Sequence, residues 1–275
     1  MLEVRDLTIS FRSDDGNIPA VRSVSFNVQK GETLAIVGES GSGKSVTAMA
    51  LTRLLPEPAA LYETGEILLE GKSILHMDEK RLRRVRGNQI AYVFQEPATS
   101  LNPVFSVYEQ IAETIRLHRP DVREVRREVI HWLDQVGIVD SARRLKDYPF
   151  QLSGGMQQRV MIAMALCCQP AILVADEPTT ALDVTIQRQI LDLFQALKIK
   201  FRMSMILITH NFGIIRGLAD KVAVMFRGRL VEFGSTESIL RQPQHPYTRA
   251  LIECIPRLGL KLDRLKTIDY STLNE

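Results

Sequence analysis

The sequence predicts an α/β fold, and three observations carry that prediction. An apolar run near the start leads through a glycine-rich loop into a helix-forming stretch. A second apolar run, AILVADEP from Ala171 to Pro178, ends in two carboxylates and is followed by a long amphipathic segment. Between the two lies a region of helical periodicity with no strand signal. Short buried strands alternating with helices read as a mainly parallel sheet with helices on its faces.

Residues 1 to about 35 read as antiparallel strands: LEVRDLTISF, a polar turn at SDDGN, then AVRSVSFNVQ with a period of two. Next, ETLAIVG (Glu32 to Gly38) is a short buried strand. The loop Gly38-Glu39-Ser40-Gly41-Ser42-Gly43-Lys44-Ser45 fits GxxxxGKS in full, and VTAMALTRLL (Val46 to Leu55) reads as the helix after it, ending at Pro56. In a strand, glycine loop and helix of this kind the loop amides cradle a β-phosphate. Lys44 reaches the β/γ oxygens, and the Ser45 hydroxyl holds Mg²⁺.

GEILLEGKSI adds a strand and turn, and a helical stretch runs from about Ser106 to Lys146 with Trp132 and Leu133 on apolar positions. LSGGMQQR, Leu152 to Arg159, is a second anion-binding helix start. Ser153 offers a hydroxyl, and the amides of Gly154 and Gly155 can approach a phosphate with no Cβ in the way. In AILVADEP, Asp176 at the strand end would face the Mg²⁺ shell, and Glu177 beside it is placed to orient or deprotonate water in line with a γ-phosphate. VTIQRQILDLFQALKIKF then reads as an amphipathic helix with Ile186, Ile190, Leu193 and Leu197 on one side. The strand MSMILIT ends at His210, and VAVMF-RGRLVEF reads as a hairpin about Arg227 and Gly228.

Composition sets limits. With 275 residues, 45% hydrophobic and 24% charged, the chain is an ordinary globular protein, long for one compact domain and suited to a core with attached lobes. A formal charge of +3 gives no global field for nucleic acid. The basic run Arg81 to Gly87 reads as a solvated helix face. No run of about 20 apolar residues and no charged-then-apolar start is seen, so membrane association is expected through other proteins. Cys167 and Cys168 are neighbours on a helix, expected to point in different directions, with no metal-ligand spacing. They read as small core residues of a reducing cytoplasm.

GESGSGKS, the glutamine in FQEP, LSGGMQQR, LVADEP, ALD and the histidine after MILIT, in that order, resemble the ATPase subunit of an ABC transporter, over nearly the whole chain. The resemblance implies a P-loop NTPase (RecA-like) core with an antiparallel β subdomain and an inserted α-helical subdomain. The expected divisions are 1–95 with 160–235 for the core, 96–159 for the helical signature subdomain and 236–275 for a C-terminal extension. It implies ATP and Mg²⁺, bound through Gly38 to Val46. Phe11 matches the aromatic that stacks on adenine, Gln95 the glutamine that touches Mg²⁺ or the attacking water, Asp183 the aspartate at a dimer seam, and His210 the histidine at the γ-phosphate. Two such ATPases pair head to tail, so Ser153 and Gly155 would read the γ-phosphate held by a partner subunit.

The resemblance also implies two membrane-spanning permease subunits, docking on Gln95 through Val107 with the helical lobe behind it, and an external solute-binding protein acting through them. The expected location is the cytoplasmic face of the cell membrane. QEPATSLNPVFSV and HPYTRALIECIP (His245 to Pro256) resemble the members serving di- and oligopeptide importers, including those for glutathione and nickel. Phe150 stands where many relatives have histidine. Many also carry several cysteines toward the C-terminus that can hold an iron–sulfur cluster. Cys254 is alone there, and no cluster is expected. Chromosome and repair ATPases separate these motifs by long coiled coils, and no such insertion fits between Lys44 and Asp176. Translation-type members carry two nucleotide domains, where this chain has one. An assembly factor that moves no solute stays open as an alternative.

Overall fold

The computed structural model describes residues 1–180 and 182–254. The end of the His245–Pro256 segment and the rest of the expected 236–275 extension lie outside the described residues. In chain order the elements are β1 (Leu2–Ser13), β2 (Gly16–Val28), β3 (Thr33–Val37), α1 (Lys44–Ala50), β4 (Ala60–Leu69), β5 (Lys72–Ser73), α2 (Glu79–Val85), β6 (Ile90–Val93), α3 (Pro97–Ser100), α4 (Val107–His118), α5 (Val125–Gln135), α6 (Ser141–Arg144), α7 (Gly154–Leu166), β7 (Ile172–Asp176), α8 (Val184–Phe201), β8 (Ser204–Thr209), β9 (Lys221–Phe226), β10 (Arg229–Ser235), α9 (Thr236–Arg241) and α10 (Pro246–Glu253). Two compact units result: Met1–His76 with the chain from Leu207 onward, and Met77–Ile206.

In the first unit, β2, β1, β4 and β5 form an antiparallel sheet in that order. The buried hydrophobic residues of β1 are Leu2, Val4, Leu7 and Ile9, which skip a step of strict alternation. The backbone absorbs the extra residue as a bulge, with register shifts between Val4 and Leu7 and Asp6 at φ 44. The bulge keeps all four side chains on the buried face. Asp6 is anchored there: its N–H donates to Ser25 Oγ at 2.8 Å and its carboxylate accepts from the Ser23 and Ser25 hydroxyls. The fully buried β3 runs parallel to β9, and β9 pairs antiparallel with β10. Arg227 and Gly228, at φ 46 and 80, form the expected two-residue hairpin turn. Ala35, Val37, Phe212, Val224, Phe226, Ile239 and Tyr247 belong to one buried cluster.

The helix after the glycine loop is shorter than its composition suggests. It starts at Lys44 and ends at Ala50, not at Leu55. Leu54 N–H reaches back to the Met49 carbonyl and Arg53 N–H to that of Ala50, with Arg53 at φ 52. This is a Schellman stop made without glycine.

In the second unit, β6 and β7 pair in parallel. The predicted helical stretch is divided into α4, α5 and α6, the first break falling at Arg119-Pro120. Trp132 is fully buried, donates Nε1–H to Glu128 at 3.0 Å and lies 5.1 Å from the Phe201 ring. On α8 the buried stripe is Ile190, Phe194 and Leu197, spaced i, i+4, i+7, and Leu193 is only half-buried. Cys167 and Cys168 are both buried, and just past the end of α7 their sulfurs lie 3.9 Å apart instead of pointing away from each other. The bond with Cys168 and burial push the Cys167 thiol up, which makes it an inert core residue. Among the described residues no helix is long and apolar enough to cross a membrane.

Candidate active site

In the first unit β3 delivers the chain to Gly38, where neighbouring backbone closes around the loop. A Cβ on Gly38, at φ 154, would meet the Met225 carbonyl oxygen at 2.2 Å. One on Gly43, at φ 97, would meet the Ala20 carbonyl oxygen at 2.6 Å. Only glycine permits both approaches, and the result is a loop held tightly from outside. The β9–β10 turn braces it: Gly228 N–H donates to the Ser42 carbonyl at 3.1 Å, and Arg22 N–H donates to the Gly228 carbonyl at 2.7 Å.

Lys44 is 5% exposed, and its Nζ donates to the Glu39 carbonyl at 2.7 Å. An ammonium buried this deeply favours an anion beside it. Thr47, also buried, donates its hydroxyl to the Gly43 carbonyl and ties the loop to α1. Gly41 lies at the open rim at φ 79, Ser40 is exposed, and Ser45 and Val46 are half-buried in the first turn of α1. Ser42 Oγ is buried and has no hydrogen-bond partner among the described residues. A glycine-lined loop, a buried ammonium and an unpartnered buried hydroxyl fit a phosphate chain. The Glu39 N–H donates to the Tyr247 hydroxyl at 3.0 Å, a contact that motif spacing does not announce. The HPYTRAL match was the signal available for it.

Phe11 is half-buried in β1 and pairs across the sheet with Ile18 and Ala60. His210 is exposed directly after the fully buried β8. A tight turn follows it, in which Asn211 N–H donates to Thr209 Oγ1 and Gly213 N–H to Asn211 Oδ1.

In the second unit Ile172–Ala175 are buried, and Asp176 and Glu177 emerge half-buried at the end of β7. Glu177 sits at φ 44, a left-handed conformation rare for a side-chain-bearing residue. Its Oε2 accepts from Gln95 Nε2 at 3.3 Å and from Thr180 Oγ1 at 2.9 Å. Gln95 and Glu177 are therefore brought together across a long stretch of sequence. Thr180 was missed, its only sequence signal being a hydroxyl three positions on.

Ser153 caps α7, its Oγ accepting from the Met156 N–H at 3.4 Å. That bond uses a lone pair of the oxygen and leaves the hydroxyl hydrogen available for donation. Ser153 and Gly154 are exposed, while a Cβ on Gly155 would meet Ile186 of α8 at 3.0 Å. Asp183 caps α8 through Oδ1, which accepts from the Ile186 N–H at 2.9 Å. Phe105, Glu109, Glu113, Arg116 and Leu117 line a groove of about 530 Å³ along α4. Val104 beside it is 73% exposed.

The fold and this loop define a P-loop nucleotide-binding protein. A family model described as ABC transporter matches residues 21–180, and one described as oligopeptide/dipeptide transporter, C-terminal region, matches residues 231–274. The chain belongs to the ABC transporter family. It is 53% identical over 276 residues to the glutathione import ATP-binding protein GsiA of Escherichia coli strain K12, a match covering 98% of this chain and 44% of that relative. The chain thus spans less than half the length of the curated relatives it matches. Among solved structures it resembles the ATP-binding cassette MJ0796 in a dimeric post-hydrolysis state bound to ADP and Pi. That likeness has a TM-score of 0.76 at 27% identity and covers 86% of this chain and 99% of the other. It also resembles cbiO1 from Clostridium perfringens, part of the cbiONQ transporter complex, with a TM-score of 0.73 at 28% identity, covering 88% and 90%.

Proposed function

We propose that this chain is the ATP-hydrolysing subunit of an ABC importer that energises uptake of di- and oligopeptides from the cytoplasmic face of the cell membrane. The observation that carries the reading is the buried Lys44 ammonium inside a loop that only glycines can form. The match of residues 231–274 to the C-terminal region of oligopeptide/dipeptide transporters supports the cargo class. Gly38 through Val46 hold the phosphates of ATP, Lys44 and His210 stabilise γ-phosphate charge, and Phe11 stacks on adenine. Glu177 is the general base and Gln95 positions the attacking water. Ser45, Gln95 and Asp176 are the residues that would hold Mg²⁺, which neutralises charge on the phosphate oxygens.

Ser153, Gly154 and Gly155 read the γ-phosphate on a second ATP-binding subunit, identical or related, with Asp183 at the seam. The dimeric state of the MJ0796 structure supports that arrangement. Two permease subunits dock on Gln95–Val107 and the α4 groove, and an external solute-binding protein acts through them. Nucleic acid is not a partner. The working divisions are 1–95 with 160–235, 96–159 and 236–275. Glutathione, itself a tripeptide, is the second reading, favoured by the likeness to the Escherichia coli glutathione import ATP-binding protein.

The primary test is ATP titration of the full chain and of Lys44→Ala. The wild type binds and the variant loses binding; equal affinity in both removes the loop from its role. Comparing peptides with glutathione as stimulants of hydrolysis in the reconstituted complex separates the two cargoes.

A further inference from the structure

Tyr247 belongs to the HPYTRAL segment, which lies outside the nucleotide motifs, yet its hydroxyl reaches the phosphate loop. Glu39 is held through both of its backbone polar groups, one in each of the peptides that flank its Cα. Its carbonyl accepts from Lys44 Nζ at 2.7 Å, and its N–H donates to the Tyr247 hydroxyl at 3.0 Å. To reach a phosphate oxygen, Lys44 has to leave that carbonyl. The Glu39 carbonyl then keeps the Ser42 N–H, which donates to it at 3.2 Å, and the Glu39 N–H keeps the Tyr247 hydroxyl.

Tyr247 is well built for that task. It is fully buried, its ring 4.2 Å from Phe226. It shares a cluster with Val37, the last residue of β3 before the loop, and with Phe212, two positions after His210. Its own backbone is fixed by His245, whose Nδ1 accepts the Tyr247 N–H at 3.2 Å. His245 is in turn held by the Glu232 carboxylate, which accepts from the Gln244 and His245 N–H groups at 2.8 and 3.1 Å. A continuous set of contacts therefore runs from β10 through the start of α10 to the loop. A buried phenol needs a partner for its hydroxyl, and here that partner is a peptide of the phosphate loop.

We propose that Tyr247 is a positioning residue for ATP binding, the point at which the segment after β10 sets the conformation of the phosphate loop. The inference rests on ATP binding by that loop. Phenylalanine would keep the ring and its packing and lose only the hydroxyl. A neutral hydrogen bond of typical strength corresponds to about a fivefold change in an equilibrium constant.

The test is ATP titration with the full chain as wild type, Tyr247→Phe, Ile239→Val and Lys44→Ala. Tyr247→Phe is expected to raise the Kd for ATP about fivefold. Ile239→Val trims the same cluster without touching the loop, and should lower the melting temperature with Kd unchanged. Linkage is reciprocal, so ATP bound to the wild type should slow amide exchange at Glu39 and from Tyr247 to Glu253. That protection should be absent in Tyr247→Phe. Wild-type affinity in Tyr247→Phe overturns the inference, and so does exchange over Tyr247–Glu253 that ATP leaves unchanged in the wild type, a result that needs no variant to fold. Failure of the wild type itself to bind ATP, with Lys44→Ala no different, overturns the function proposed above instead.

Discussion

At the scale of single residues, Glu177 combines a left-handed backbone with a carboxylate held by Gln95 and Thr180. The backbone alone costs about 1–2 kcal/mol relative to an ordinary conformation. Strain of this kind persists where the surroundings over-determine it, often at functional sites. Glu177→Gln keeps size and hydrogen-bonding reach while removing the basic oxygen. It is expected to leave ATP affinity near that of the wild type and to lower the hydrolysis rate about 10²–10⁴-fold, measured as phosphate release. Normal turnover in this variant would take the general-base role away from Glu177. The place of the carboxylate and its neighbour Asp176 at a strand end was legible in the sequence, because the apolar run Ile172–Ala175 stops there. The strain at Glu177 was not, since φ is decided by how the strand end meets its surroundings. Nor was the bond from Glu39 to Tyr247, which joins residues far apart in the chain and depends on packing around Phe226.

At the scale of elements, the sequence pattern located strands and helices well and their ends poorly. In β1 the apolar residues break step, and Leu2, Val4, Leu7 and Ile9 share a face only because Asp6 forms a bulge. The helix after the loop stops early because Arg53 adopts a left-handed cap that composition does not signal. The start of α4 is different, and its cap is a full reciprocal box. Ser106 Oγ accepts the Glu109 N–H, while the Glu109 carboxylate accepts from both the Ser106 N–H and its hydroxyl at 2.7 Å. The Ser106 hydroxyl and amide hold the Glu109 carboxyl below its usual range.

Ser106→Ala should therefore destabilise the second unit by about 1 kcal/mol, read as a lower urea midpoint. A carboxylate whose folded pKa is lowered stabilises above its unfolded pKa, and that contribution is lost as pH falls through the folded value. The gap between Ser106→Ala and wild type should narrow over the same acid window. A gap that stays constant or widens in acid would show that Glu109 is not part of the cap.

At the scale of the whole molecule, one phosphate loop and one LSGGMQQR helix per chain raise the question of where each does its work. Ser153 keeps a hydrogen to give, and Gly154 is exposed, so the start of α7 is open to a ligand. Gly154 also offers a clean way to block it. Among the described residues a Cβ there would find its nearest contact at 3.9 Å, on Leu182, and its φ is ordinary. Gly154→Asp thus fits the fold, and a carboxylate at a helix N-terminus stabilises the helix. On the proposed head-to-tail pairing it would, however, place negative charge where a partner's γ-phosphate would arrive.

Each of Lys44→Ala and Gly154→Asp alone should be inactive in hydrolysis, because every head-to-tail pair of identical chains has two damaged sites. A mixture behaves differently. In a mixed pair both lesions fall in one site, and the other joins an intact phosphate loop to an intact signature helix. Random pairing makes half the dimers mixed with one good site each, so an equal mixture should recover about a quarter of wild-type activity per chain. If each chain instead used its own loop and its own signature, mixing would recover nothing. Phosphate release from the two variants, separately and together at the same total concentration, decides between these arrangements.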